Sequence, residues 1–223
     1  MAFVLTSGNL YLSPLLQKMG WIEHGFGTNS ASPIPQGEAA ASLMQVHSAL
    51  VLPVCNPDEK QREGDGILTS TPNLWISIRT ADCLPILIGD RHLKAVAAVH
   101  AGWKGTVQQI ARKAVACLVE EFGSRPENLF AAIGPGISDC CYEVGPEVAI
   151  QFDTAFLKPG EAGRSYLNLK QANVSQLLAA GLSPNHIDVA EECSVSTPGF
   201  HSFRRDKTEG RMLSAIRIKI GAD

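Results

Sequence analysis

Residues 79–106 read RTADCLPILIGDRHLKAVAAVHAGWKGT, and the fold turns on how this stretch is understood. It carries two apolar runs of strand length, 84–88 and 93–99, parted by a short polar turn. A third run, 74–78, precedes them. Their near-continuous apolarity marks strands covered on both faces, as in a central sheet. Immediately afterwards Val107, Ile110, Ala111, Ala114, Val115, Leu118, Val119 and Phe122 recur at three- and four-residue steps, which predicts a helix over 107–122 closed by Gly123. A further strand, 129–133, stops at Gly134-Pro135-Gly136. Strands alternating with helices place the chain in the α/β (α+β) class, with mixed sheets and flanking helices.

Outward from this centre the signals are local. Ser13-Pro14 reads as the cap and first residue of a short helix ending near Gly20. Residues 29–37 are rich in Ser, Pro and small residues and form a loop. Residues 39–44 read as one or two helical turns delivering Gln45, Val46 and His47, with a short strand at 49–54. The polar stretch 55–66 is an exposed loop closing at Gly64-Asp65-Gly66. Gly145-Pro146 opens another helix. Asn168 and Gln171 form a capping box for a helix that stops at Gly181. After a strand at 187–190 the tail alternates Arg217 and Lys219 with Ile216, Ile218 and Ile220, a half-buried final strand. There is no internal repeat or low-complexity tract.

Composition bounds the function. With 223 residues, 45% of them hydrophobic, the chain can bury a sizeable core as one domain over 1–223, with room for two lobes. A formal charge of −3 and scattered Arg and Lys give no footprint for nucleic acid. No apolar stretch approaches a membrane span, and the first residues lack the pattern of a signal peptide. The expected location is cytoplasmic. The six cysteines (55, 83, 117, 140, 141 and 193) include no CxxC pair and are expected as free thiols, Cys117 as a small hydrophobe on its helix.

The chemistry-bearing residues of the opening stretch sit where apolar runs meet turns. Cys83 and His100, with His47 upstream, make a thiolate and two imidazoles, a ligand set that suits zinc and also copper. Such ligands, single and far apart in sequence, resemble catalytic sites that keep an open position more than closed structural knuckles. Asp82 is a candidate to orient an imidazole. A second reading makes Cys83 a nucleophile with His100 as its base, and the residues alone leave both open.

QVHS (45–48), TADCLPILI (80–88) and HAGWKG (100–105) resemble the purine nucleoside phosphorylase/laccase-domain family, also called polyphenol oxidase-like or multicopper-oxidase-like. Gly64-Asp65-Gly66, IGPGISDCCYEVGPEV (133–148) and FHSFRRDKTEGRM (200–212) extend the likeness in family order over roughly 45–218. Nothing resembles the cupredoxin domains of true multicopper oxidases. The chain departs from the family at Asn29, where Arg is common, and at Lys104, where Arg is usual.

The resemblance implies a compact α/β sandwich with His47, Cys83 and His100 as metal ligands. It implies phosphorolysis of adenosine, inosine and methylthioadenosine, with adenosine deamination alongside. Copper-dependent phenol oxidation and a role in editing peptidoglycan precursors are the implied alternatives. The expected cofactor is Zn2+, with Cu as the second choice, and the expected partners are a purine nucleoside and phosphate, bound by a monomer or homodimer. Phosphate needs cationic anchors, for which Arg205, Arg204, Arg79 and Lys104 are the candidates. Asp82, Arg205 and Gln45 are the expected catalytic residues. Trp103 reads more readily as a core anchor than as a base-stacking platform, and without the resemblance Arg204-Arg205-Asp206 reads more readily as a surface turn with an ion pair.

Overall fold

A computed structural model describes residues 2–57 and 62–219. Two six-stranded sheets stack face to face, and helices cover the far side of one of them. The middle sheet runs Ile187–Val189, Leu129–Ile133, Leu84–Asp90, Val96–Ala101, Gly66–Thr69 and Val51–Pro53, antiparallel in its centre with a parallel pair at each edge. The outer sheet runs Val4–Leu5, Tyr11–Leu12, Ile22–Phe26, Met212–Ile218, Trp75–Thr80 and Ala40–Ala41. A small three-stranded sheet, Glu143–Val144, Ser165–Leu167 and Leu157–Pro159, stands beside them.

The middle position explains the unbroken apolar runs. Ile86, Ile88, Ala97 and Val99 face the helices Ile110–Phe122 and Leu169–Ala179, while Leu87, Val96 and Ala98 face the outer sheet. Both faces are therefore core. Each fully buried Ile or Leu contributes about 1.5–3 kcal/mol relative to exposure. The 74–78 run differs: it lies in the outer sheet as Trp75–Thr80, paired with Met212–Ile218 and Ala40–Ala41. Its outward face is covered locally, because the Arg217 guanidinium stacks on Trp75 at 4.5 Å and Glu38 accepts the indole N–H at 2.7 Å.

The expected helices at Ser13-Pro14, Gly145-Pro146 and Asn168 are present, and Asn168 accepts the Gln171 N–H as its cap. Two expectations need correction. Residues 39–44 are extended, not helical: Ala40–Ala41 pair with Trp75 and Ile76, and Met44 bridges to Glu63. A helix that short gains too few bonds to offset its nucleation, whereas the sheet edge offers partners at once. The 107–122 helix divides into Trp103–Val107 and Ile110–Phe122 around Gln109, which is left-handed (φ 63°). Gln176 Nε2 takes the Thr106 carbonyl at 2.7 Å, and Gln109 N–H reaches that same carbonyl three residues back, closing the first helix. The tail strand alternates as expected, with Ile216 and Ile218 buried, Arg217 partly exposed and Lys219 exposed. It lies between Ile22–Phe26 and Trp75–Thr80, with Ala215 and Ile216 fully enclosed, and Ile220 falls outside the described residues. The expected loop 55–66 is also partly outside them, at 58–61.

Among the described residues no helix is long and apolar enough to cross a membrane.

Candidate metal centre and its cleft

The hairpin Leu84–Asp90/Val96–Ala101 builds the site. Its register sets Leu84 against Ala101 and Pro85 against His100, so Cys83, His100 and Gly102 gather at one end of it. His47 arrives from the loop before Val51–Pro53. One ligand atom from each of His47, Cys83 and His100 lies within 4.8 Å of the other two. Three atoms so placed have a common point no more than about 2.8 Å from each, close to the 2.0–2.3 Å of zinc bound by nitrogen and sulfur. The imidazole planes of His47 and His100 cross at 73° with centroids 4.9 Å apart.

Gly102 permits this approach. A Cβ there would stand 2.9 Å from Cys83 Sγ and 3.3 Å from His47 Cδ2. Any side chain would occupy the room the ligands need.

Asp65 fixes the geometry. Its buried carboxylate meets His100 Nδ1 at 2.8 Å and accepts the N–H groups of Val46, His47 and Ser48 and the Ser48 hydroxyl. His47 itself is left-handed (φ 59°), and these bonds hold the loop in that conformation. Burial pushes the Asp65 carboxyl up, but the bonds from His100 and Ser48 outweigh it and hold it at about 2. As a carboxylate it fixes the hydrogen on His100 Nδ1 and leaves Nε2 free for an ion.

Burial also opposes charge on Cys83 and His100. The two imidazoles bring the Cys83 thiol down to about 6, and Asp65 and Cys83 bring His100 up to about 9. A thiol this readily ionised, between two imidazoles of which one is oriented by a carboxylate, is the donor set of a zinc or copper site, and the residues fit such an ion.

The triad opens into a cleft of about 640 Å3, within the range of small-molecule sites. Trp103, Tyr142 and Phe203 give it aromatic surface, and Arg79, Arg204 and Arg211 give it positive charge. Burial, followed by the charge of Cys83, raises the Tyr142 phenol, so it stays protonated. The Arg204 guanidinium lies 5.4 Å from the Tyr142 ring centroid and donates to the Glu143 carbonyl at 2.8 Å.

The other sequence candidates occupy distinct places. Asp82 lines the cleft in a left-handed conformation (φ 85°), accepting the Ser194 hydroxyl at 2.7 Å and the Arg204 N–H at 2.6 Å. It positions Arg204; the carboxylate at the imidazole is Asp65. Gln45 also lines the cleft, but both ends of its amide pair with the Arg79 backbone at 2.8 Å. Arg205 is turned away from the cleft. It donates to the carbonyls of Ser194, Val195 and Phe200 and to Asp206, so its donors are spent on tying loops together. Lys104 lies near Trp103 (5.8 Å to the ring), outside the cleft lining.

Sequence reasoning missed Asp65, Tyr142, Phe203 and Arg211. Tyr142, Phe203 and Arg211 left only their place inside the family-like blocks 133–148 and 200–212, whereas Asp65 left a local signal: an acidic residue between two glycines at the mouth of an apolar strand, buried here at 1% exposure rather than lying in an exposed loop.

Comparisons with known proteins bear on the fold and the family. The chain is 42% identical over 184 residues to a purine nucleoside phosphorylase of Deinococcus radiodurans, covering 80% of this chain and 70% of that one. It is 34% identical over 200 residues to the purine nucleoside phosphorylase YlmD of Bacillus subtilis, covering 86% and 68%. It is 33% identical over 164 residues to adenosine deaminase RL5 from an unknown prokaryotic organism, covering 70% and 62%. The crystal structure of YlmD from Geobacillus stearothermophilus superposes with a TM-score of 0.87 at 26% identity, covering 97% of this chain and 98% of that one. The hypothetical protein YfiH of Bacillus licheniformis gives the same score at 25% identity, covering 97% and 99%. Residues 29–219 match the family model described as multi-copper polyphenol oxidoreductase laccase, and the chain belongs to that family.

Proposed function

We propose that this chain is a zinc-dependent, cytoplasmic purine nucleoside phosphorylase acting on adenosine, inosine and methylthioadenosine, with adenosine deamination as a second activity of the same site. The observation that carries this reading is the junction of the His47–Cys83–His100 triad with an aromatic cleft that carries three arginines. Relatives named for both activities support it.

His47, Cys83 and His100 would hold the ion, which when bound supplies Lewis acidity at the end of the cleft. The purine stacks on Trp103 or Phe203, where flat apolar surface faces the cleft. Arg204, Arg79 and Arg211 anchor the phosphate dianion; Arg204 is pre-aimed by Asp82 through its backbone and by the Tyr142 ring through its guanidinium. Phosphate oxygen attacks the anomeric carbon as the glycosidic bond breaks, positive charge builds on the ribose, and the purine leaves with the bonding electrons. The protonated Tyr142 phenol donates a hydrogen bond to the departing base. Arg205 and Gln45 contribute by holding loops, and Asp82 by positioning Arg204.

Incubating zinc-loaded protein with adenosine, with and without phosphate, tests this. Adenine and ribose 1-phosphate formed only with phosphate support phosphorolysis, and inosine formed without phosphate supports deamination. Absence of all three overturns the nucleoside reading.

A further inference from the structure

A second cluster of metal-type ligands lies behind the cleft wall. The Sγ atoms of Cys140, Cys141 and Cys193 all fall within 4.8 Å of one another, with Cys140 and Cys141 at 3.4 Å. All three are free thiols. A zinc–sulfur bond of about 2.3 Å requires sulfurs roughly 3.8–4.0 Å apart, so small side-chain rotations bring the trio onto one ion.

Two loops present the thiols in fixed relation. Ser194 N–H bonds to the Gly136 carbonyl at 3.1 Å, and Cys141 and Tyr142 N–H both return to the Ser138 carbonyl. Backbone N–H groups of Ser138, Val195 and Ser196 point at Cys193 Sγ, the first at 3.4 Å. Donors aimed at a buried sulfur favour it as an anion. Lys170 stands beside the thiols, its buried Nζ donating to the Ala190 and Glu192 carbonyls at 2.6 and 2.9 Å. Cys140 is exposed, so an ion has a way in.

We propose that Cys140, Cys141 and Cys193 form a second metal site, a trithiolate for a thiophilic d10 cation such as Zn2+ or Cu+. Three thiolates select soft ions over the borderline preference of the His–Cys triad. The site is a brace and does not touch substrate. It ties the turn that carries Tyr142 to the loop whose Ser194 donates to Asp82, two positions on the cleft wall. On binding, each thiol that is still protonated releases its proton to solvent as its sulfur ligates, and no electron is transferred.

The test is an anaerobic titration of fully reduced protein with Cd2+ as spectroscopic probe. Wild type is expected to bind two ions per chain. Cys83→Ala, which removes the first site, is expected to keep one, with the ultraviolet thiolate-to-cadmium absorbance of three sulfurs. Adding the exposed Cys140→Ser to Cys83→Ala is expected to weaken that remaining ion at least tenfold while the far-ultraviolet circular dichroism stays unchanged. Cys193→Ala in the otherwise native chain provides a check from the buried side, dropping the count from two to one. Competition with Zn2+ and with Cu+ under the same conditions identifies which of the two is held more tightly. The proposal is overturned if folded Cys83→Ala binds no ion, if its absorbance survives Cys140→Ser, or if protein isolated without reductant carries a disulfide among these three cysteines.

Discussion

Asp65 Oδ1 lies 2.8 Å from His100 Nδ1, and the same oxygen accepts the His47 N–H at 3.0 Å. One buried carboxylate thus orients one imidazole through its ring and the other through its backbone. The two imidazoles come from different elements, His47 from a loop and His100 from the strand Val96–Ala101, and Asp65 holds them to one geometry.

Asp65→Asn keeps the shape and loses the charge. It replaces an acceptor of several bonds by a group with one acceptor oxygen and an amide that must donate. Zinc affinity of the triad is expected to fall about 10–100-fold, as for other partners of metal-bound histidines, measured by competition with a chelator in protein carrying Cys140→Ser.

Gly102→Ala tests the close approach at the triad. Its Cβ would meet Cys83 Sγ at 2.9 Å, so the thiol must move off its position. Loss of the triad's ion with an unchanged circular dichroism spectrum is expected. Gly20→Ala, whose Cβ would meet nothing within 4 Å, is the control and should bind normally.

Arg204 and Arg205 are neighbours with opposite assignments. Arg204→Ala is expected to raise KM for phosphate at least tenfold with little change in melting temperature. Arg205→Ala removes the donors tying Ser194, Val195 and Phe200 together and should lower the melting temperature. Steady-state kinetics at varied phosphate, beside thermal melts, separate the two. An Arg205→Ala chain of normal stability with lost phosphate affinity would reverse the roles.

His24 gives a pH dependence far from the metal centre. Its ring is 7% exposed and its Nε2 accepts the Ser13 N–H at 3.0 Å, an acceptor role that protonation abolishes. Burial lowers its pKa from 6.5 to about 4, against a smaller upward pull from Asp188. The unfolded chain takes the proton near 6.5 and the folded chain resists it until about 4. This contribution is therefore intact above pH 6.5 and is lost as pH falls toward 4, to the extent of about 3 kcal/mol. Urea unfolding of wild type and His24→Gln across pH 4–7 should show a steeper decline in wild type.

Much of this was legible in the sequence, for physical reasons. Leu84 to Ile88 and Val96 to Val99 are apolar throughout because both faces of their sheet are core, and such runs read plainly as strands. Cys83 and His100 stood out because each ends one of those runs. Convergence of side chains across the chain was not legible. Asp65 is 35 residues from His100 along the chain, and nothing local says that its carboxylate turns inward. Arg205 looked like Arg204 in sequence; only the carbonyls of three loop residues distinguish them. Residues 39–44 misled because the pairing that makes Ala40 and Ala41 extended comes from Trp75 and Ile76, more than thirty positions away.

The most direct test of the central claim is phosphorolysis of inosine by zinc-loaded wild type and by Cys83→Ala, with zinc content measured on the same samples. The expected result is hypoxanthine and ribose 1-phosphate in equal amounts from wild type, only when phosphate is present. Cys83→Ala should lose both that activity and the triad's zinc. Undiminished ribose 1-phosphate from Cys83→Ala, or free ribose in place of ribose 1-phosphate from wild type, would contradict it.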